Sequence, residues 1–383
     1  MTQMIQPHWQ PDAETGFLIS PAPLADLRAS SLYGTKALPS AIADALENAA
    51  QTLPAWITAG TARTELEQLP TWEPQYDWAP EDGLTLERLF GLYGYCASAY
   101  VYGHETPSKH LPASIAVPWV IIAEAVGRPP MLSYTAQVLN NWRLIDARGG
   151  MLPDNLDVHF RLTNLDDERW FFVVHAAIEA HGGALLSALQ QAAEGALQEE
   201  ERMMLLAFRQ MQRALVDITT LFHRMPEHCE PGIYYEQLRP YLFSFTDVVY
   251  EGVPKLSGPQ SYRGGSGAQS SIIPAALAGL GILHEDNSLT SHLNTMRDYM
   301  PVPHQQFIQT MAQSRVRAMA AESLALRDEY NNTLRRLMTF RRAHLYYART
   351  YIFARSTNPI GTGGTDFMQF LSQLIDETEQ HLL

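Results

Sequence analysis

Apolar residues recur every three or four positions over most of this chain, and that period predicts helices. The first such stretch is 40–53, SAIADALENAAQTL. A more strongly apolar one covers 85–102, with Leu86, Leu89, Phe90, Leu92 and Tyr93 at helical spacing. Further helical patterns fall at 133–142, 166–190, 198–223, 269–283, 304–313 and 367–381. The stretch 317–353 reads as the longest helix, with a break near Asn331-Asn332. Asp166 or Asp167 suits the N-cap of the helix that starts there. Alternating strand patterns are scarce, and Val248-Val249-Tyr250 is the one short extended piece. Residues 1–35 are Pro-rich and irregular, a connector carries Pro70, Pro74 and Pro80, and Pro107, Pro112 and Pro118 mark a boundary. The expected fold is therefore all-α: a smaller, mainly helical N-terminal domain at 1–112 and a large helical domain at 113–383.

Composition narrows the function more than the fold. With 383 residues, 46% apolar and 18% charged, the chain is globular and long enough for two domains or one large one. A net charge of -14 disfavours nucleic acid and anionic membrane as partners, since both select basic surfaces. No apolar run reaches roughly 18 residues, so no membrane span is expected. The opening MTQMIQPHWQP has no signal-peptide pattern. Two cysteines, Cys96 and Cys229, make no disulfide framework, and a cytoplasmic location follows as the expectation.

The chemistry-bearing residues cluster late in the chain. His344 sits in FRRAHLYYARTYIF, with Leu337, Phe340, Tyr347 and Tyr351 on its side of the helix. A lone histidine among such neighbours suits a satisfied core residue, but it also suits the single axial imidazole that a five-coordinate haem needs. Arg341 and Arg342, about one turn earlier, are placed to meet propionates or to form a solvated basic face. His175, in WFFVVHAAIEAHGG, shares a side with Phe171 and is either a core histidine or a group over the opposite face of a haem. GGSGAQSS at 264–271 lacks the Lys-Ser/Thr ending of a phosphate loop. Its glycines allow backbone to approach a flat ligand, and Ser266 adds a hydroxyl. Arg239, near Tyr234 and Tyr235, suits a substrate carrying a carboxylate and a flat ring, or a helix-end surface position. A second Gly/Thr loop, GTGGT at 361–365, precedes the last amphipathic segment. There is no HExxH, CxxC, CxxCH or GxSxG, and HRMPEHC at 223–229 matches no ligand spacing.

These residues, with blocks in the same order along most of the chain, resemble the indoleamine dioxygenases. The blocks are AYVYG (99–103), LPASIAVPWVIIAEAVGRPPMLSY (111–134), VLNNW (138–142), WFFVV (170–174), LRPYL (238–242) and VYEG (249–252). They continue with GGSGAQSS, LGI (280–282), RDYMPVPHQQF (297–307), RRAHLYY (341–347) and GTGGTDFMQF (361–370). The resemblance implies haem b on one proximal ligand, His344, so that 113–383 is the haem-binding domain. It implies cofactor contacts from Arg341, Gly265 and Ser266, and substrate contacts from Arg239, Tyr134, Val138, Phe171, Tyr234, Ser266 and Thr362. Phe172 and Tyr235 flank those positions. It implies that O2 is inserted across the C2–C3 bond of the indole of L-tryptophan or a close derivative to give N-formylkynurenine, with an external electron donor keeping the iron ferrous.

Three departures bear on that expectation. The distal serine of the family aligns with His175, which resembles the distant tryptophan dioxygenases and makes His175 the candidate catalytic group. The acidic residue that animal members carry after the glycine loop is Leu277, and the lid before GTGGT is cut to little more than STNPI. Two alternatives stand beside dioxygenation: rearrangement of a halogenated tryptophan, as in the similar pyrrolnitrin-pathway enzyme, and a non-catalytic haem or indole sensor.

Overall fold

The computed structural model describes residues 7–285, 287–356 and 367–383. In chain order the elements are α1 (Ser40–Ala59), α2 (Ala62–Leu66), α3 (Gly83–Tyr102), β1 (His110–Leu111), α4 (Ala113–Ala125), β2 (Arg143–Leu144) and β3 (Leu156–Asp157). Then come α5 (Asp166–Gln198), α6 (Glu201–Phe222), α7 (Pro231–Ile233), β4 (Phe245–Tyr250) and β5 (Gln260–Tyr262). The chain ends with α8 (Ile272–Gly279), α9 (Ser288–Arg297), α10 (Val302–Met311), α11 (Val316–Glu322), α12 (Leu324–Tyr351) and α13 (Phe367–Glu379). The all-α expectation holds. The strands are short: β4 lies between β1, parallel, and β5, antiparallel, while β2 and β3 form a separate antiparallel pair. Strand β4 is broken by a bulge near Asp247, whose φ is 55°, so its alternation was hard to see in sequence.

Four helices frame the interior. α6 buries Met204, Ala207, Phe208, Met211, Leu215, Ile218 and Phe222, one stripe at helical spacing. It turns back on α5 through Glu199 in the left-handed conformation, φ 57°. α12 packs on α6, and α13 packs on α12. α5 is long and apolar enough to cross a bilayer by length and composition alone, but 78% of its apolar window is buried inside the protein. At Gly182 a Cβ would come within 2.3 Å of Ile272, so glycine lets α8 approach α5. One hydrophobic cluster joins α5, α6, α8, α10, α11 and α12; a second joins α1, α3 and α4 with β4.

Several element boundaries differ from the sequence pattern. α5, with 33 residues, is longer than α12, with 28, because Ser323 interrupts the 317–353 stretch and accepts a bond from Leu326 N to start α12. Asn331 does not break that helix. It is buried, its Nδ2 donates to Leu383 O and its Oδ1 accepts from Leu383 N, both at 2.9 Å. Neither Asp166 nor Asp167 caps α5: Leu165 precedes it, Asp166 pairs with Arg169 at 2.6 Å, and Asp167 accepts from Glu230 N. The Pro-marked stretch 104–118 contains the start of α4, which tolerates Pro118 inside it. Residues 133–142 do not form a regular helix but widen into a π-turn, Thr135–Leu139.

Candidate active site

A cavity of about 350 Å³ opens between α5, α6, α12, α13 and the glycine loop. Its wall is largely apolar: Phe171, Ile218, Phe222, Leu277, Phe340 and Leu374 all contribute. His344 on α12 lines it and is accessible from it, although protein surrounds the residue on its other sides. Burial, with the nearby His175 and the Arg341 charge, pushes its pKa down to about 4. The imidazole is therefore neutral at neutral pH and keeps a lone pair for a metal.

His175 on α5 lines the same cavity. Its Nδ1 lies 2.7 Å from Phe171 O. A carbonyl only accepts, so Nδ1 carries the proton and Nε2 is left as an acceptor. Burial lowers this pKa too, which keeps the ring neutral. The Phe222 ring is 6.2 Å from His175 and 6.0 Å from His344, so one aromatic touches both imidazoles.

Two π-turns carry more of the wall. Tyr134 and Val138 come from Thr135–Leu139 and the residue before it, and Tyr234 opens Tyr234–Leu238. Such turns cost regular hydrogen bonding and often occur at functional sites. The Phe171 and Tyr234 rings lie 4.9 Å apart, and Tyr234 meets Tyr351 at 5.7 Å. Phe172 also lines the cavity. Arg239 is not part of the cavity wall. It is buried just after the second π-turn, over the rings of Tyr235 at 5.2 Å and Phe243 at 4.9 Å. Thr362 and the GTGGT loop lie outside the described residues.

The glycine loop is clamped from within. Gln269 accepts from Tyr134 N at 2.8 Å and donates to Gly264 O at 3.0 Å. A Cβ on Gly265 would sit 2.0 Å from Gln137 Oε1, so a larger residue there would have to displace the Gln137 amide. Gly265 and Ser266 both line the cavity, and the Ser266 hydroxyl accepts from Ala268 N at 3.3 Å. Arg341 reaches the wall beside α13, and Leu277 supplies no charge to it. The 223–229 cluster makes no metal site: His223 and His228 are exposed, while Cys229 is buried.

Sequence reasoning missed Glu179, Gln137 and His284, all of which line the cavity. Glu179 follows His175 by one helical turn, and that spacing was the available signal. Its Oε1 accepts from Tyr134 Oη at 2.9 Å and from Ser270 Oγ at 2.6 Å. Burial pushes the carboxyl up to about 7, against the pull of those two hydroxyls. A carboxyl whose folded pKa exceeds its unfolded value holds its proton more tightly when folded. Its contribution to stability therefore falls as pH rises from the model-peptide value of about 4.3 toward that raised value. Between about pH 5 and about pH 8, wild-type protein is expected to lose more melting temperature than Glu179→Gln. Parallel melting curves of the two across that range would show that the carboxyl does not titrate there.

Among the described residues no three His, Cys, Asp or Glu side chains converge as a metal cage. The cavity instead offers one neutral imidazole on an apolar wall, a second imidazole facing the same space, and a cation at its edge. At Gly267, also on the wall, nothing lies within 4 Å of a Cβ position, so the loop leaves room beside it. This donor set fits a five-coordinate haem better than a cage-bound ion.

The comparisons agree with that class. The family model described as Indoleamine 2,3-dioxygenase matches residues 7–359. The chain belongs to the indoleamine 2,3-dioxygenase family. It is 31% identical to indoleamine 2,3-dioxygenase 1 of Rattus norvegicus, over 87% of this chain and 88% of the relative. Its identity to indoleamine 2,3-dioxygenase 1 of Mus musculus is 32%, over 87% and 88%. It is also 26% identical to a 6-hydroxytryptophan 2,3-dioxygenase of Fusarium equiseti, over 98% and 97%. Enzymes of this family are oxidoreductases, haem-dependent dioxygenases that use O2 on indoles.

Proposed function

We propose that this chain holds haem b on His344 and inserts both atoms of O2 across the C2–C3 double bond of L-tryptophan or a close indole derivative, giving N-formylkynurenine or its counterpart. The observation that carries this reading is the pair of neutral imidazoles in one apolar cavity, one open to a metal and the other with Nε2 as an acceptor. Bound there, haem iron supplies the activation of O2 that no protein group provides. Arg341, Gly265 and Ser266, which line the same cavity, would help to hold the cofactor. His175 accepts the indole N–H and fixes the ring; no strong base is needed. Tyr134, Val138, Phe171 and Tyr234 pack the ring and exclude water, while Arg239 and Thr362 anchor the carboxylate. All described lining residues follow position 133, which supports 113–383 as the catalytic domain. An external electron donor keeps the iron ferrous, in keeping with a cytoplasmic setting. The name of the Fusarium equiseti relative makes a ring-hydroxylated tryptophan the natural second substrate to try.

The test is aerobic incubation of reduced, haem-loaded protein with L-tryptophan, read by mass spectrometry. A product heavier by two oxygen atoms is expected. A rearranged product, or oxygen binding without turnover, would replace this reading with one of its alternatives. In the same assay the 1-methyl analogue is expected to react roughly tenfold or more slowly, since it leaves the His175 acceptor without its donor. His175→Ser is expected to narrow that gap while keeping part of the activity.

A further inference from the structure

Arg341 has no carboxylate partner on α8, where position 277 is leucine, yet the residue is only 7% exposed and its guanidinium is held by several groups. Its Nη1 donates to Leu374 O and to Thr378 Oγ1, both on α13. Its Nη2 lies 3.3 Å from His284 Nε2. A guanidinium only donates, so that nitrogen of His284 accepts. The proton of the neutral ring is then on Nδ1, which donates to Glu377 Oε2. Glu377 is itself 5% exposed, and its other oxygen accepts from Gln373 Nε2 at 2.6 Å. A single chain of donors thus runs from Arg341 through His284 to a buried carboxylate.

We propose that His284 and Glu377 are positioning residues for Arg341, fixing its guanidinium where it meets the carboxylates of the bound porphyrin. The pair supplies from the loop after α8 and from α13 the negative charge that Leu277 lacks. This inference rests on the haem reading above. Burial lowers the Arg341 pKa, and Glu377 is the charge that opposes the shift. A carboxylate relayed through an imidazole fixes both the ring tautomer and the aim of the group beyond it, as partners behind metal-bound histidines do. The seat of α13 does not depend on the relay. Leu283 N donates to His381 Nε2 at 3.0 Å, Arg317 donates to His381 O, and Asn331 holds Leu383 by two bonds. Breaking the relay should therefore loosen Nη2 and the aim of the guanidinium, while Nη1 stays tied to Leu374 and Thr378 and the helix stays docked.

The experiment compares the wild-type holoprotein with Glu377→Gln, Glu377→Asp and His284→Leu. Haem loss is timed by transfer to an excess apo-globin, and the haem-free proteins are melted in parallel. Glu377→Gln and His284→Leu are expected to lose haem about tenfold faster, the usual scale for removing a supporting partner. Their haem-free melting temperatures should match wild type, Glu377→Asp should restore most of the retention, and the Glu377→Gln reduction potential should move positive. Unchanged haem loss in both variants would overturn the proposal. So would faster loss that tracks a lower haem-free melting temperature, without rescue by aspartate. If the wild-type chain takes up no haem at all, the cofactor reading itself fails; if it takes up haem and only the relay variants behave like wild type, this proposal alone fails.

Discussion

His344→Ala is expected to fold and to retain almost no haem. The side chain faces the cavity and not the packed core, so its loss removes a ligand and little buried contact. A haem without an axial imidazole keeps only apolar contacts and propionate contacts, and should fall to below about a tenth of wild-type occupancy. The checks are the Soret band per protein after reconstitution, with circular dichroism as the folding control. Because the deletion leaves space on the α12 wall, free imidazole in the buffer should restore part of the band. A variant with unchanged haem content would show that another group holds the iron.

Arg239→Ala is expected to give the opposite pattern, an intact haem spectrum and a collapse of turnover by roughly a hundredfold or more. The residue lies in the chain between two wall residues, Tyr234 and Leu242, and its planar group rests on Tyr235 and Phe243. Those two rings hold the guanidinium in place, and its flat fork suits a carboxylate. Lysine offers a point charge in place of a flat fork, so Arg239→Lys should recover little. Steady-state rates with L-tryptophan, beside the ferric and ferrous spectra, decide the matter. Full activity in Arg239→Ala would place the carboxylate elsewhere.

How much of this could be read beforehand depends on distance along the chain. The helix around His344 was legible because Phe340, Tyr347 and Tyr351 repeat at helical spacing, and all three line the cavity. His175 and Phe171 were legible for the same reason. The glycine loop stood out by composition, but its clamp by Gln269 onto Tyr134 spans 135 residues and leaves no local mark. The Arg341–His284 and His284–Glu377 contacts, 57 and 93 residues apart, are invisible for the same physical reason. Asn331 misled because asparagine favours helix breaks when its side chain competes for local backbone; here that side chain is occupied by Leu383. The π-turns were missed because one extra residue per turn disrupts the very period that identifies a helix.

That extra residue has an evolutionary consequence. Removing one codon within Thr135–Leu139 or Tyr234–Leu238 would let the segment relax to ordinary helix and rotate the residues beyond it by roughly 100°. Val138 in the first case, or Leu242 in the second, would swing away from the cavity it now lines. Length variation of one residue, with His344 and its neighbours unchanged, is therefore a short route by which a cavity of this kind can come to accept a differently shaped guest.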